Sequence, residues 1–268
     1  MKRRPAVAGL FYPAGAGELA RVVDALLEAA RRPEVLGLRG LVAPHAGYEY
    51  SGPVAASAFA LLPSAVRVVL LGPSHFLPLD GMAVSGADVW ETPLGEVPVA
   101  DDLRRAALDA GGFVDDLPHE REHALEVELP FLQRACRDCV EILPVAVGQT
   151  TPGQVAALIA ALDALIVVST DLSHYHDHET ARHLDRETAD AVVRRDPEAI
   201  GTDRACGVHA LRGLVEHARL TDLRVDLLDL RTSADTAGDP ERVVGYGAFA
   251  LTSPDGPLRA GGSGSRGA

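Results

Sequence analysis

The chain has 268 residues, of which 47% are hydrophobic and 24% are charged, the balance of a globular protein with a sizeable core. Its 25 Lys and Arg against 38 Asp and Glu leave a formal charge of −13, and only 4% of the residues are aromatic. This composition argues against clustered cations that bind phosphates and against aromatic platforms for bases, so we expect no direct nucleic acid partner. The unusual feature is the presence of 10 His beside 3 Cys.

Features of localisation and processing indicate a cytoplasmic protein. The chain starts with Met1-Lys2-Arg3-Arg4, as a signal peptide would, but prolines and glycines interrupt the next residues and no apolar segment develops. No apolar run approaches the ~20 residues needed to cross a bilayer, so we expect no membrane contact. Cys136 and Cys139 lack a second pair for zinc and the setting of a thioredoxin-like motif, so we predict a structural role for them. We expect a bacterial protein in a reducing compartment.

Helices and buried strands alternate along the chain. Four segments carry the spacing or capping signals of helices, at residues 19–30, 151–161, 177–195 and 208–219. Apolar runs without alternation, typical of strands covered on both faces, lie at residues 41–43, 66–71, 142–147, 165–168, 225–230 and 243–251. We predict one α/β domain over residues 1–252, with a mixed, largely parallel central sheet covered by helices on both faces. The Gly/Ser/Pro-rich tail at residues 253–268 is predicted to be disordered.

Three of the predicted strands end in a loop that carries a histidine. These histidines are His45, His75 and His174, and Asp171 lies in the same loop as His174. Because ligands of open α/β sheets bind beyond the carboxyl ends of the strands, parallel neighbours would bring these side chains to one cleft. The sequence therefore predicts a metal or catalytic site at this edge.

Imidazole suits iron, zinc and copper, and two histidines with one anionic ligand leave metal positions open for substrate or oxygen. The residues alone leave four candidates for the anionic ligand: Asp171, Glu122, Glu126 and Cys206. Cys206 directly precedes a predicted helix, where the helix dipole would favour a thiolate.

A second polar segment is Glu122-His123-Ala124-Leu125-Glu126. Its spacing would place a carboxylate and an imidazole on one face of a helix. We predict that Pro130 kinks this helix and turns Glu122 and His123 toward the cleft. A place beside the metal ligands or against the substrate suits them better than direct ligation, because the second histidine of zinc-protease signatures is missing. Further histidines carry weaker signals: His176 and His178 form a short His-x-His pattern, and we expect a solvated surface for His119, His183 and His217.

The chain resembles the Memo family, the middle component (protein B) of the AmmeMemoRadiSam system. Seven collinear segments carry the resemblance: Pro5-Ala6-Val7-Ala8-Gly9-Leu10-Phe11-Tyr12-Pro13, Ala43-Pro44-His45-Ala46-Gly47-Tyr48, Gly72-Pro73-Ser74-His75, Trp90-Glu91-Thr92-Pro93-Leu94-Gly95, Glu122-His123-Ala124-Leu125-Glu126, Ser169-Thr170-Asp171-Leu172-Ser173-His174 and Cys206-Gly207. In order and spacing they span nearly all of the predicted domain. The resemblance implies a fold like that of class III extradiol non-heme iron dioxygenases.

The resemblance also implies a set of site residues. The metal would be held by His45, His75 and Cys206, with His174 as the acid/base group and Asp171 beside it. Glu122, His123 and Tyr48 would lie next to the ligands or contact the substrate. A thiolate in place of the carboxylate of the related dioxygenases softens the site, which stays compatible with iron and becomes more suitable for copper or zinc, and it puts ring cleavage itself in doubt. We expect Fe(II) or copper, with zinc as the alternative.

Three functions compete at this point. The first is a metal-dependent, dioxygenase-like oxidoreductase that acts on an unknown small-molecule substrate. The second is a non-catalytic module that binds a ligand or a phosphopeptide in the same pocket. The third is an accessory role beside the radical-SAM and AMMECR-type proteins of the same system.

Overall fold

The computed structural model describes residues 1–254 except residues 32, 34, 137 and 138. The predicted tail therefore lies outside the described residues from residue 255 onward. The same holds for the two residues between Cys136 and Cys139. Within the described residues, no helix is long and apolar enough to cross a membrane.

The strands form one large sheet and one small sheet. Those of the large sheet are β2 (Leu38–Ala43), β3 (Ala65–Gly72), β4 (Met82–Val84), β7 (Phe113–Val114), β8 (Cys139–Val147), β9 (Leu165–Ser169), β10 (His174–His176), β11 (Arg224–Thr232) and β12 (Val243–Thr252). The small sheet contains β1 (Lys2–Arg3), β5 (Val89–Thr92) and β6 (Gly95–Pro98).

Four neighbouring strands, in the order β2, β9, β3 and β8, run parallel and form the centre of the large sheet. Antiparallel strands flank them, with β12 on β2 and β4 on β8, so the predicted mixed and largely parallel sheet is confirmed. All five residues of β9 are buried, as are the last four of β2, without the alternation of a one-sided sheet. These strands are therefore covered on both faces.

Eight α-helices lie among the described residues. They are α1 (Ala16–Ala29), α2 (Tyr48–Phe59), α3 (Asp101–Asp109), α4 (Leu117–Glu120), α5 (Leu129–Ala135), α6 (Pro152–Ala160), α7 (His178–Val193) and α8 (Val208–Leu220). α1, α2 and α5 pack on one another, and α6 packs on α8. The capping box predicted at the start of α6 is present, with the Thr151 hydroxyl accepting from Gln154 N.

The four predicted helices and six predicted strands are confirmed, with boundaries that move by a few residues. Helix α2 was not predicted from its sequence because it has no amphipathic pattern: buried residues lie all around it, and Pro53 falls inside it. Only a short loop separates α2 from β2, so the loop that carries His45 lies between two well-packed elements.

The helix predicted across residues 122–130 is wrong. Residues 121–128 form a chain of turns between α4 and α5, and Pro130 stands in the first turn of α5. Proline is favoured at that position because the first helical N–H groups have no partner within the helix. Pro130 therefore starts a helix instead of kinking one, and Glu122 is held in the preceding loop by the N–H groups of His123 and Ala124.

Candidate metal centre

The predicted convergence at one sheet edge is present in the fold. β2 ends at Ala43, β3 ends at Gly72 and β9 ends at Ser169, and the three strands are parallel neighbours. His45 and His75 follow two of these ends. The loop after β9 lies at the same edge. Cys206, which comes much later in the sequence than His45 and His75, reaches this edge from the start of α8.

His45, His75 and Cys206 each offer a ligand atom, and these atoms lie within 4.8 Å of one another. Cys206 Sγ and His45 Nε2 approach each other to 3.3 Å. Ligands about 2.0–2.3 Å from a shared ion have separations in this range, so the three residues fit one transition metal. The structure thus brings together the three residues predicted as ligands.

Glu122 fixes the orientation of His75. One carboxylate oxygen lies 2.9 Å from His75 Nδ1, and the other accepts from His75 N at 2.6 Å. Burial opposes ionisation of Glu122, but these bonds and the N–H of Ala124 outweigh it and hold the pKa of Glu122 at about 2. A carboxylate only accepts, so His75 Nδ1 carries the proton and Nε2 is left for a metal.

A buried hydrogen-bonded chain fixes His45 in a related way. His45 Nδ1 lies 2.8 Å from Ser169 Oγ, which lies 2.7 Å from Glu128 Oε1 and 2.8 Å from the Ala124 carbonyl. Burial raises the pKa of Glu128 well above its usual range, which favours the protonated carboxyl. The Ser169 hydroxyl donates to the Ala124 carbonyl and to Glu128 Oε1, which leaves its oxygen to accept from His45 Nδ1, so His45 Nε2 is free to bind a metal.

The ring of His45 is neutral in this environment. Burial and the neighbouring His75 lower the pKa of His45 to about 3. A metal ligand must be the neutral imidazole, so no proton has to leave the buried ring before a metal binds.

Cys206 lies at the start of α8, where Gly207 allows a close approach to β9. A Cβ on Gly207 would lie 2.9 Å from the Ser169 carbonyl and 2.8 Å from Thr170 Cβ. The Asp171 N–H points at Cys206 Sγ over 3.2 Å. Burial and the nearby Asp171 carboxyl nevertheless raise the pKa of Cys206 to about 12. Burial and the Asp171 carboxyl therefore outweigh the favourable effect of the helix start on this thiol.

His123 is closer to the predicted ligands than a supporting role requires. Its ring stacks on His75 with centroids 4.8 Å apart and meets His45 edge-on at 5.4 Å. Burial and His45 lower the pKa of His123 to about 4. Ligand atoms of His75, Glu122 and His123 also lie within 4.8 Å of one another, so His123 offers a further ligand atom beside the predicted centre.

His174 and Asp171 are held by different hydrogen-bond partners. His174 Nδ1 lies 2.8 Å from the Leu172 carbonyl, which accepts its proton, whereas an Asp171 oxygen accepts from His45 N at 2.8 Å. Asp171 therefore holds the His45 loop, and a backbone carbonyl orients His174.

Two further predicted residues belong to the scaffold. The Tyr48 hydroxyl donates to the Val127 carbonyl at 2.7 Å, and its buried ring packs between Tyr12 and Phe131, so it is part of the core and no substrate contact. Both Glu126 oxygens are occupied by donors of the N-terminal segment, which removes Glu126 from the candidate ligands.

The weaker histidine predictions have mixed outcomes. The prediction that His119 is solvated is wrong, because its side chain is fully buried and its Nε2 lies 3.1 Å from the Ala83 carbonyl. His183 is exposed as expected. His178 Nδ1 lies 2.8 Å from Thr232 Oγ1, outside the group of three ligand atoms.

Sequence reasoning missed Ser169, Glu128 and Phe11. Ser169 is the last residue of β9, so its position next to His45 follows from strand register, with Ala43 opposite Ser169. Glu128 offered one usable signal, a carboxylate between apolar residues that turned out to be buried. Phe11, whose ring lies 4.5 Å from His123, comes from an N-terminal loop that no periodicity places.

The fold and site define a mixed α/β protein with a histidine and cysteine cluster at the carboxyl edge of its parallel strands. A family model described as Memo-like protein matches residues 3–250. The chain therefore belongs to the Memo family, as its seven segments predicted.

Relatives with the same family name cover nearly the whole chain. The MEMO1 family protein of Methanosarcina mazei is 36% identical over 266 residues, covering 92% of this chain and 98% of the relative. The MEMO1 family protein of Aquifex aeolicus is 36% identical over 259 residues, with 91% and 97% covered. That of Nitrosopumilus maritimus is 31% identical over 272 residues, with 93% and 99% covered. The bacterial source and cytoplasmic location stay predictions.

One solved structure supports the fold. It is that of the uncharacterized protein JW3007 from Escherichia coli K12, with a TM-score of 0.50 at 10% identity. The similarity covers 80% of this chain and 99% of that protein. At this identity the comparison bears on architecture alone.

Proposed function

We propose that this Memo-family chain is a metal-dependent oxidoreductase that binds Fe(II) or copper through His45, His75 and Cys206 and acts on a small substrate. The observation that carries the proposal is the fixed orientation of both imidazoles. Each Nδ1 is held by a partner inside the protein, and Cys206 Sγ lies 3.3 Å from His45 Nε2. Such outer partners set the tautomer of a metal-ligating histidine before the ion arrives.

The donor set selects among metals. Two imidazoles and one thiolate suit iron, copper and zinc and disfavour magnesium and calcium, which prefer oxygen ligands. When bound, a redox-active ion of this group would supply one-electron chemistry or oxygen activation. Zinc fits the same residues without redox chemistry and is the alternative occupant.

The chain's own residues provide proton handling around the ion. His174 has Nδ1 on the Leu172 carbonyl, so its Nε2 is open to take or give a proton. We propose His174 as the acid/base group and Asp171 as a positioning residue that holds the His45 loop. The His123 ring packs against His45, and the Phe11 ring packs against His123.

The experiment is anaerobic reconstitution with Fe(II), Cu(I) and Zn(II), followed by elemental analysis and a competition measurement of metal affinity. We expect one equivalent of metal in the wild type and at least a tenfold loss of affinity in Cys206→Ala. The matched control is Cys136→Ala, since Cys136 is a buried free cysteine in another part of the fold. Oxygen uptake by the iron-loaded and copper-loaded protein then tests for redox activity.

Absence of stoichiometric metal, or equal affinity in Cys206→Ala and the wild type, would overturn the proposal. Stoichiometric zinc binding without oxygen uptake in any metal form would overturn the redox part alone. Each of these outcomes would favour a ligand-binding module in the same pocket.

A further inference from the structure

Two exposed aromatic side chains directly follow site histidines in the chain. Phe76 follows His75 and is 47% exposed, and Tyr175 follows His174 and is 64% exposed. Aromatic residues make up only 4% of this sequence, and large rings normally withdraw from water. Their exposure beside the proposed centre marks them as contact surfaces.

Each of these rings carries an arginine on one face. The Arg121 guanidinium carbon lies 5.1 Å from the Phe76 ring centroid, and that of Arg242 lies 4.4 Å from the Tyr175 ring centroid. Both distances are those of cation–π contacts. Phe76 is also edge-on to His123, with centroids 6.1 Å apart, which connects this pair to the metal cluster.

Among the described residues, no carboxylate neutralises either guanidinium. Arg121 and Arg242 take part in no ion pair in that part of the chain, whereas Arg134, Arg195 and Arg219 pair with acidic side chains. Other arginines of the described chain, such as Arg21 and Arg39, are also without an ion pair, so the feature that distinguishes Arg121 and Arg242 is the aromatic ring that each one stacks on. Their forked N–H donors suit an anion from solution.

The backbone holds Tyr175 in an unusual conformation. Its φ of +64° lies in the left-handed region, which non-glycine residues rarely adopt. The register of β10 on β12 shifts at this residue, since His174 pairs with Val244 and His176 pairs with Val243. The irregularity places the Tyr175 ring on the outside of the strand pair, next to Arg242. Such strained positions cluster at ligand-binding sites.

From these observations we infer that the substrate of the proposed metal site is an organic anion with a flat apolar body. This inference rests on the proposed function for the reaction and on the two arginine–aromatic pairs for the substrate class. A carboxylate or phosphate monoester would bind Arg121 or Arg242, and its ring or chain would lie against Phe76 or Tyr175. Neutral and cationic analogues lack the charge that these guanidinium groups select.

The test measures binding of benzoate and phenyl phosphate to the full chain, loaded with Zn(II) so that no turnover occurs, by isothermal titration and by NMR of the imidazole signals. The two anions separate carboxylate from phosphate recognition. Benzyl alcohol serves as the neutral analogue and benzylamine as the cationic one. We expect the anions to bind at least about tenfold more tightly than either analogue, the difference that one charge-assisted contact provides.

Substitutions locate the contact. Arg121→Gln and Arg242→Gln should each weaken anion binding severalfold, and the double variant should weaken it more than tenfold. The matched control is Arg21→Gln, an exposed arginine on α1, which should change the affinity less than twofold. Arg121→Lys keeps the charge and loses the planar stack, so it should recover only part of the binding. Thermal unfolding of each variant confirms that it is folded.

The inference is overturned if the double variant binds benzoate and phenyl phosphate as the wild type does, or if benzyl alcohol binds equally well. Metal affinity is measured on the same samples and should not change, because neither arginine is among the ligand residues. Normal metal binding without anion selectivity contradicts this inference alone. If the wild-type protein binds none of the metals but still selects anions, the proposed function is contradicted and this inference is not.

Discussion

At the scale of single residues, hydrogen bonds to imidazole Nδ1 atoms determine what this sheet edge can bind. His75 Nδ1–H donates a hydrogen bond to Glu122, and His45 Nδ1–H donates one to Ser169. Each ring then has one unprotonated nitrogen whose direction is set by the protein. Orientation of this kind reduces the rotamer entropy that metal binding would otherwise cost.

Replacement of Glu122 tests this dependence. Glu122→Gln keeps the shape of the side chain but removes the charge that holds the His75 proton on Nδ1. We expect metal affinity to fall by roughly 10–100-fold, the usual effect of losing such a partner. Competition against a chromophoric chelator measures this loss for Fe(II) and Zn(II).

The matched control for that experiment is Glu120→Gln, an exposed carboxylate two residues earlier. It makes the same change of net charge without touching His75. Equal metal affinities in Glu120→Gln and Glu122→Gln would contradict the assigned role of Glu122.

At the scale of elements, the N-terminal segment closes one side of the site through a single buried carboxylate. Glu126 accepts from Arg3 Nη1, from the N–H groups of Ala6 and Val7, and from the Tyr12 hydroxyl. Arg3 further donates to the Glu122 carbonyl. The turn that carries the site residues is thereby joined to the segment that brings Phe11 over His123.

Removal of Arg3 tests this connection. Arg3→Ala leaves Glu126 fully buried without its cationic partner, since the Arg3 side chain is 6% exposed and that of Glu126 is 0% exposed. Breaking a buried pair from one side costs roughly 3–5 kcal/mol, so we expect a loss of that size in the free energy of unfolding by urea.

Lys2→Ala provides the control for Arg3→Ala. Lys2 pairs with Glu96 on the surface, where both side chains are about half exposed. Pairs of that kind contribute about 0–1 kcal/mol. Equal losses of stability in the two variants would show that the buried connection has no special importance.

The elements that could be predicted from the sequence are those with a periodic or uninterrupted apolar pattern. α1 has Leu19, Val23 and Leu27 on its buried side at helical spacing, and β9 is continuously apolar. Residues 121–128 gave a wrong helix because the polar residues there are spaced as on a helix surface, yet Glu126 and Glu128 are buried by long-range partners. Local periodicity carries no information about partners that are distant in the chain.

The site residues also divide into those that could be predicted from the sequence and those that could not. His45 and His75 were predictable because each follows an apolar strand, and strand ends of a parallel sheet meet. The hydrogen-bond partner of Asp171 could not be predicted, because the sequence does not specify which loop donor a buried carboxylate accepts from. In the fold, that donor is the His45 N–H.

At the scale of the whole molecule, His119 connects the small sheet to the large one. Its ring is edge-on to Trp90 of β5, with centroids 5.6 Å apart, and its Nε2 lies 3.1 Å from the Ala83 carbonyl of β4. Nδ1 is buried without a hydrogen-bond partner in the described structure. Protonation would place an unpaired charge there, so burial lowers the pKa of His119 to about 4.

This pKa predicts how the stability of the fold depends on pH. The unfolded chain takes up a proton at His119 near pH 6.5, whereas the folded chain does so only near pH 4. Between these values the unfolded state binds more protons, so stability falls as the pH is lowered through this window. A depression of this size corresponds to roughly 3 kcal/mol of stability, present above pH 6.5 and lost by about pH 4.

We therefore expect His119→Gln to flatten the acid limb of the stability profile. The introduced amide can still donate to the Ala83 carbonyl but does not titrate, so the wild type should lose roughly 2–3 kcal/mol more than the variant between pH 7 and pH 4. Urea unfolding at half-unit pH steps measures both profiles.

His183→Gln is the control, because the His183 side chain is 75% exposed, and its profile should match that of the wild type. Parallel profiles for the wild type and His119→Gln would mean that the buried imidazole is not the group that weakens the fold in acid.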